Sequence, residues 1–443
     1  MRLMLERWFR LRENGTTARI ELGAGLTTFL TLSYILFVQP ALLAGEPSRM
    51  DLGAVTAATC ISSALATLLM GLWARYPVAL APGMGINAYF VYTLIPAAAA
   101  LGHPEPWRAG LAVVFVAGVV FVALTALGVR ERLMESLSPS LKHAIAVGIG
   151  LLIAFIGLRN AGLVVAHPAT LVALRPDLLT ADVAVAATGF GVAAALHVRG
   201  LNAALLLGIA ASATLAALLG KIHATGVVAA PPSLGPTFLA MDLRSVLEPG
   251  ILQFVPVFLF VAMFDAMGTL VGVAEQAGMT RDGRLPRAGR ALGTDALATM
   301  LGASLGTSTV TCYIESAAGV AAGGRTGLVC VVVAALFLLA LLFAPLITAL
   351  GAYAPITAPA LLLVGAIMLQ SVQHIDWSDP TEWIPAFFIL VGIPLTFSIG
   401  DGMALGFLAY PILKLSTGRA KDVPMAMWLL SAAVGIYFAL LRI

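Results

Sequence analysis

Residues 306–327 read GTSTVTCYIESAAGVAAGGRTG, and they set one carboxylate, Glu315, into a stretch that otherwise belongs inside a lipid bilayer. An acid at membrane depth costs roughly 3 kcal/mol or more, so it marks a functional site by default. Thr307, Ser308, Thr309 and Thr311 precede it, and Gly319, Gly323 and Gly324 follow. Small and hydroxylated residues keep backbone and side-chain polar groups close together. A binding site needs that; a lipid-facing helix does not.

The composition supports a membrane setting. Of 443 residues, 60% are hydrophobic and 11% charged, with mean hydropathy +0.99. Soluble domains carry about 25% charged residues. Apolar runs recur from 23–44 to 425–441, and two further segments, 78–99 and 291–318, are apolar but broken by Gly, Pro, Ser and Thr. A spanning helix needs about 20 residues, so the pattern predicts an all-α polytopic membrane protein of about 14 spans, with 425–441 as a candidate extra one. The longest polar-leaning connection, about 220–250, is too short to fold alone.

Charge reports topology here, not a nucleic-acid partner. With the N-terminus cytoplasmic, most Arg and Lys fall inside, among them Arg7, Arg130, Arg287, Arg325 and Lys414. Arg49, Arg108, Arg159, Arg175, Lys221 and Arg244 fall outside. The basic, partly amphipathic first twenty residues read as a helix lying on the inner surface and not as a cleaved signal. Cys60, Cys312 and Cys330 read as small buried hydrophobes. The six histidines show no ligand spacing, so no metal site is expected. Nothing resembles a nucleophile with its base or an H-E-x-x-H motif, which argues against an enzyme.

Two interruptions correspond between the halves of the chain. PVALAPGMGINAYF (77–90) breaks the third apolar segment with Pro77, Pro82, Gly83 and Gly85; GASLGTSTVTCYIES (302–316) breaks the tenth with Gly302, Gly306 and a hydroxyl run. Paired broken spans point to a transporter's midplane site. A second deep acid, Asp265, lies mid-way along FVPVFLFVAMFDAMGTLVGVA (254–274). Glu275 and Asp295 lie near span ends and read as capping or cytoplasm-facing groups, Asp401 as a helix N-cap and Glu21 as interfacial.

APGMGINAYF, FDAMGTLVGVA, GTSTVTCYIESAAGVAAGGRTGL and TAPALLLVGAIM resemble signature segments of the adenine/guanine/hypoxanthine permeases, a branch of the nucleobase–ascorbate (xanthine/uracil permease) transporters. The resemblance covers nearly the whole chain. It implies two inverted seven-span repeats, with short strands in spans three and ten. A core domain (23–128 and 253–349) would move against a gate domain (129–219 and 350–443). Residues 1–22 would be cytoplasmic and 220–252 an extracytoplasmic loop. It further implies purine import by proton symport across the bacterial inner membrane, with no cofactor besides the proton, and admits a homodimer. The alternatives are a uracil or xanthine preference, or an anion transporter on the same fold.

The family's acids of the eighth and tenth spans fall on Asp265 and Glu315, and its third-span Asn on Asn87. A carboxylate can accept N1–H and the exocyclic NH2 of guanine together, which suits Glu315 as base ligand. Asp265 is then the candidate proton carrier, with the reverse assignment open and joint titration a third case. Backbone N–H groups near Gly83, Gly85, Thr307, Ser308 and Thr309 could serve the base's acceptors. Tyr89, Phe90, Phe264 or Tyr313 could flank its ring. Ala262, Ala266, Gln39 and Cys312 depart from the residues common in the family, which bears on base preference.

Overall fold

A helix that stops inside a bilayer must hand its backbone N–H and C=O groups to other partners in the protein. That requirement organises the site-bearing part of this chain. The computed structural model describes residues 6, 8–128, 137–222, 226–279 and 286–441; the side chains of Phe264 and Glu275 lie outside that description.

Helix α1 (Ala18–Leu32) runs on into α2 (Ile35–Ala44), and α3 (Leu52–Leu69) ends in a π turn at Met70–Ala74. Strand β1 (Leu80–Pro82) then leads into α4 (Met84–Tyr89), which continues through a second π turn, Phe90–Leu94. Next come α5 (Pro106–Ala126) and α6 (Pro139–Asn160). An antiparallel hairpin of β2 (Val164–His167) and β3 (Leu171–Leu174) precedes α7 (Ala181–Val198) and α8 (Ala204–Leu218). The second broken region is reached through α9 (Phe254–Gln276) and α10 (Ala288–Leu305). It consists of β4 (Val310–Cys312) and the short α11 (Ser316–Ala321), followed by α12 (Leu328–Ala340) and α13 (Ala344–Gly351). Helices α14 (Ala358–Met368), α15 (Pro380–Thr396), α16 (Ile399–Ser416) and α17 (Met425–Leu441) complete the chain.

Six helical stretches among the described residues are long and apolar enough to cross a membrane, and shorter apolar helices of 10–17 residues accompany them. The segment 291–318, which composition presents as one interrupted run, is in fact a complete helix followed by a strand. Gly306, at φ +97°, closes α10 in the left-handed conformation that suits glycine at a helix end.

The two breaks satisfy each other. β1 and β4 pair antiparallel, with Leu80 opposite Cys312, Ala81 opposite Thr311 and Pro82 opposite Val310. The Gly83 N–H donates to Thr309 O and the Tyr313 N–H to Ala79 O, each at 2.9 Å, extending the ladder at both ends. Side chains take what remains. The Thr67 hydroxyl donates to Leu80 O and accepts from the Leu80 N–H, both at 2.9 Å. Ser316 Oγ accepts from the Ala79 N–H at 2.9 Å, and the Tyr313 hydroxyl donates to Pro82 O at 2.5 Å. Pro82 has no N–H to satisfy, so proline is tolerated in this strand.

The chain divides into two compact units, Met1–Ala126 with Gly157–Leu363 and Leu127–Ile156 with Val364–Ile443. In the first, close approach of backbones fixes the broken elements. Gly319 of α11 sits so near α1 that an added Cβ would meet the Thr28 hydroxyl and lie 2.7 Å from Ala24 O. This small-residue contact is how membrane helices gain packing where no hydrophobic force separates helix from lipid. In the second, a buried Lys414 lies between Asp379 (3.4 Å) and Glu382 (2.8 Å), and Arg419 reaches Asp379 at 2.6 Å. Asp401 is not the N-cap of α16: Ser398 caps it, accepting from the Asp401 N–H at 3.1 Å, and the acid stands in the first turn.

Candidate functional site

The polar residues around the paired strands fall into a closed set and an open set. Gln39, carried by α2, donates from Nε2 to Thr307 Oγ1 at 2.9 Å and to Ser308 Oγ at 3.3 Å. The Asn87 amide donates to Gln39 Oε1, and the Ser308 hydroxyl donates to Asn87 Oδ1. All four residues are fully buried. Helix α2, helix α4 and the loop between α10 and β4 are thereby tied together by side chains that bond one another. The Asn87, Thr307 and Ser308 side chains each take part in this network. Thr309 is also fully buried, and its hydroxyl has no partner among the described residues.

The open set is acidic. Glu315, just ahead of α11, and Asp265, midway along α9, are each only partly buried. Glu315 Oε1 accepts from the Tyr34 hydroxyl at 2.9 Å. Asp265 has no hydrogen-bond partner among the described residues. Gly83 lies beside it: a Cβ at Gly83 would sit 3.6 Å from Asp265 Oδ2 and press on the Thr311 methyl at 2.8 Å. A side chain at position 83 would therefore force the Thr311 methyl of the strand pair aside while lying in ordinary contact with the acid. A third acid stands behind the strands. Asp295, only 1% exposed, accepts from the Thr311 hydroxyl at 2.8 Å.

The remaining residues singled out by sequence are placed as follows. Gly85 is buried within α4. Tyr89 packs its ring on Phe258 at 5.3 Å and Phe254 at 6.1 Å between centroids, and Phe90 is fully buried. Tyr313 is 5% exposed and bonded to the strand. The Phe264 side chain is outside the described residues. Three contributors escape sequence reasoning. Tyr34 carries no motif; Gln39 reads as a mere departure; Asp295 reads as a span-end residue although Thr311 holds it in the interior. Glu21, expected at the interface, is fully buried. It accepts from the Arg325 N–H at 2.8 Å and the Thr326 hydroxyl at 2.7 Å, bracing the start of α1 against the segment after α11.

Two partly open carboxylates, Glu315 beside the paired strands and Asp265 midway along α9, make a pattern for holding a small polar solute in a membrane. Comparison with known proteins decides the family: residues 19–405 match the permease family Xan_ur_permease. The chain belongs to that permease family. An adenine permease of Escherichia coli (strain K12) is 42% identical to this permease over 95% of this chain and 92% of its own. A guanine/hypoxanthine permease of Bacillus subtilis (strain 168) is 41% identical over 99% of this chain and 100% of its own. The transmembrane domain of a cyanobacterium bicarbonate transporter, 15% identical, superposes with a TM-score of 0.64 over 87% of this chain and 96% of its own, a likeness of fold alone. The permease is thus a multi-pass membrane transporter of nucleobase-permease kind, not an enzyme.

Proposed function

We propose that this permease imports purine nucleobases, hypoxanthine, guanine and adenine, and that Glu315 is the principal ligand of the base. The observation that carries the reading is the division of polar groups. Gln39, Asn87 and Ser308 are closed on one another, whereas Glu315 and Asp265 are partly open. A purine's N–H edge is the complement of such carboxylates, and a charged acceptor makes the stronger bond. The names of the two relatives above support the same substrate class.

Asp265 is the proposed proton carrier. It lies midway along α9, partly open and without a hydrogen-bond partner among the described residues, so its carboxyl is available to take up and release a proton. Protonation would precede movement of a core (spans one to four and eight to eleven) against a gate (the remaining spans of a fourteen-span chain) with a cytoplasmic N-terminus. Each half alone would leave its strand unpaired, so the core travels as one body carrying both breaks.

Competition uptake tests the reading. Purified protein in vesicles takes up labelled hypoxanthine, challenged with unlabelled adenine, guanine, hypoxanthine, xanthine and uracil at pH 6 and pH 8. Purine-selective uptake that rises with outside acidity is expected. Equal competition by uracil overturns the purine assignment, and rates unchanged when the proton gradient is collapsed overturn the coupling.

A further inference from the structure

A cavity of about 470 Å³ is lined by Val38, Glu46, Tyr92, Arg159, Asn160 and Thr357 among others. Two of the helical elements that carry the deep site also contribute to its wall. Val38 is the neighbour of Gln39, and Tyr92 follows Asn87 on the same broken span by five residues, roughly 7 Å of rise. Tyr34, the partner of Glu315, lies one helical turn from Val38.

The guanidinium of Arg159, at the end of α6, is the uncommitted group here. Its carbon stands over the Tyr92 ring, 5.5 Å from the centroid, within range of a cation–π contact. Its N–H groups have no hydrogen-bond partner among the described residues, and the side chain is exposed. Glu46, by contrast, is held by Arg49 at 2.6 Å. An arginine braced on an aromatic face presents a rigid, planar fork of donors. The group that matches it on a purine is the O6/N7 edge of a 6-oxopurine, two acceptors side by side. Adenine offers N7 but turns an N6–H2 donor toward the fork.

We propose that this cavity is a second, outer purine site, in which Arg159 donates to O6 and N7 of hypoxanthine or guanine and Tyr92 supports the same plane. It is distinct from the Glu315 site, which reads the opposite, N–H-bearing edge. A base could thus be sorted by its six-position before it reaches the acids. The inference rests on the purine reading above, and it adds a selectivity which that reading does not contain.

Initial-rate uptake of hypoxanthine and of adenine by reconstituted wild type, Arg159→Gln and Arg159→Lys tests it. The lysine variant keeps the charge and loses the fork. In both variants the KM for hypoxanthine should rise about tenfold, the loss of one bidentate pair, with the maximal rate kept and the adenine KM within about twofold. Equal losses for both purines would mean a structural or general electrostatic role and overturn the outer site. No change in either purine overturns it too, and leaves the purine assignment standing. Wild type that moves neither purine overturns the substrate assignment first and this site with it.

Discussion

Glu315 is held by one hydrogen bond from Tyr34, while the neighbouring Gln39 network is closed. Removing the Glu315 charge should therefore act on affinity more than on folding. Glu315→Gln keeps the shape and loses the charge-assisted pair, about 1.5–3 kcal/mol, so purine affinity should fall about ten- to hundredfold in equilibrium binding. Full retained affinity would remove Glu315 from the base. Gln39→Leu makes the opposite prediction. It leaves Asn87 and Thr307 with unmade bonds in a fully buried place, which costs about 1–3 kcal/mol. A lower melting temperature in detergent is expected, with or without substrate present. Glu315 and Asp265 were legible in the sequence because an acid in an apolar run is conspicuous. Tyr34, Gln39 and Asp295 were not, because what recruits them is a partner far off in the chain: Tyr34 meets a residue 281 positions away.

Among elements, the short α11 depends on α1 for its place. Gly319→Val would drive two methyls into Thr28 and the Ala24 carbonyl, displacing the helix that follows Glu315. The expected result is loss of purine binding with a fall in stability of about 1–3 kcal/mol, read by thermal melting alongside binding. The N-terminus of α15 gives a pH signature. The Thr381 hydroxyl, joined by Arg419 and Lys414, holds the Asp379 carboxyl well below the usual carboxylate range. An acid depressed in the folded state contributes stability above its unfolded value, about 3.9, and loses it as pH falls through the folded one. Asp379→Ala, which also removes an N-cap worth about 1 kcal/mol, should lower the melting temperature at pH 7. The gap from wild type should narrow below about pH 4, where the unfolded acid is already protonated. Element boundaries were only partly legible. Composition merged α10 with β4 because the positive φ of Gly306 leaves no trace in hydropathy, and the β2–β3 hairpin hides in what reads as a loop.

For the whole molecule, the two broken regions, around 77–90 and 302–316, could be matched from sequence because each carries Pro or Gly together with hydroxyl or amide residues. The antiparallel register, and the side chains that complete it, required the folded chain. If core and gate move as proposed, cross-linking that joins the two strands should leave transport intact, since they travel together. Disulfide trapping of a cysteine pair at Ala81 and Thr311, followed by uptake, checks this; abolished uptake with retained binding would place the moving boundary inside the site.

The hydrogen bond from Tyr313 to Pro82 joins residues 231 positions apart. A ribosome adds residues at about 5–20 per second, so the first strand waits more than ten seconds in the membrane before its complement exists. During that interval its N–H and C=O groups have no strand to meet. The first half of the chain is thus exposed to quality control until the second half arrives, and a chain truncated before residue 310 should be degraded rather than accumulate as a half-transporter.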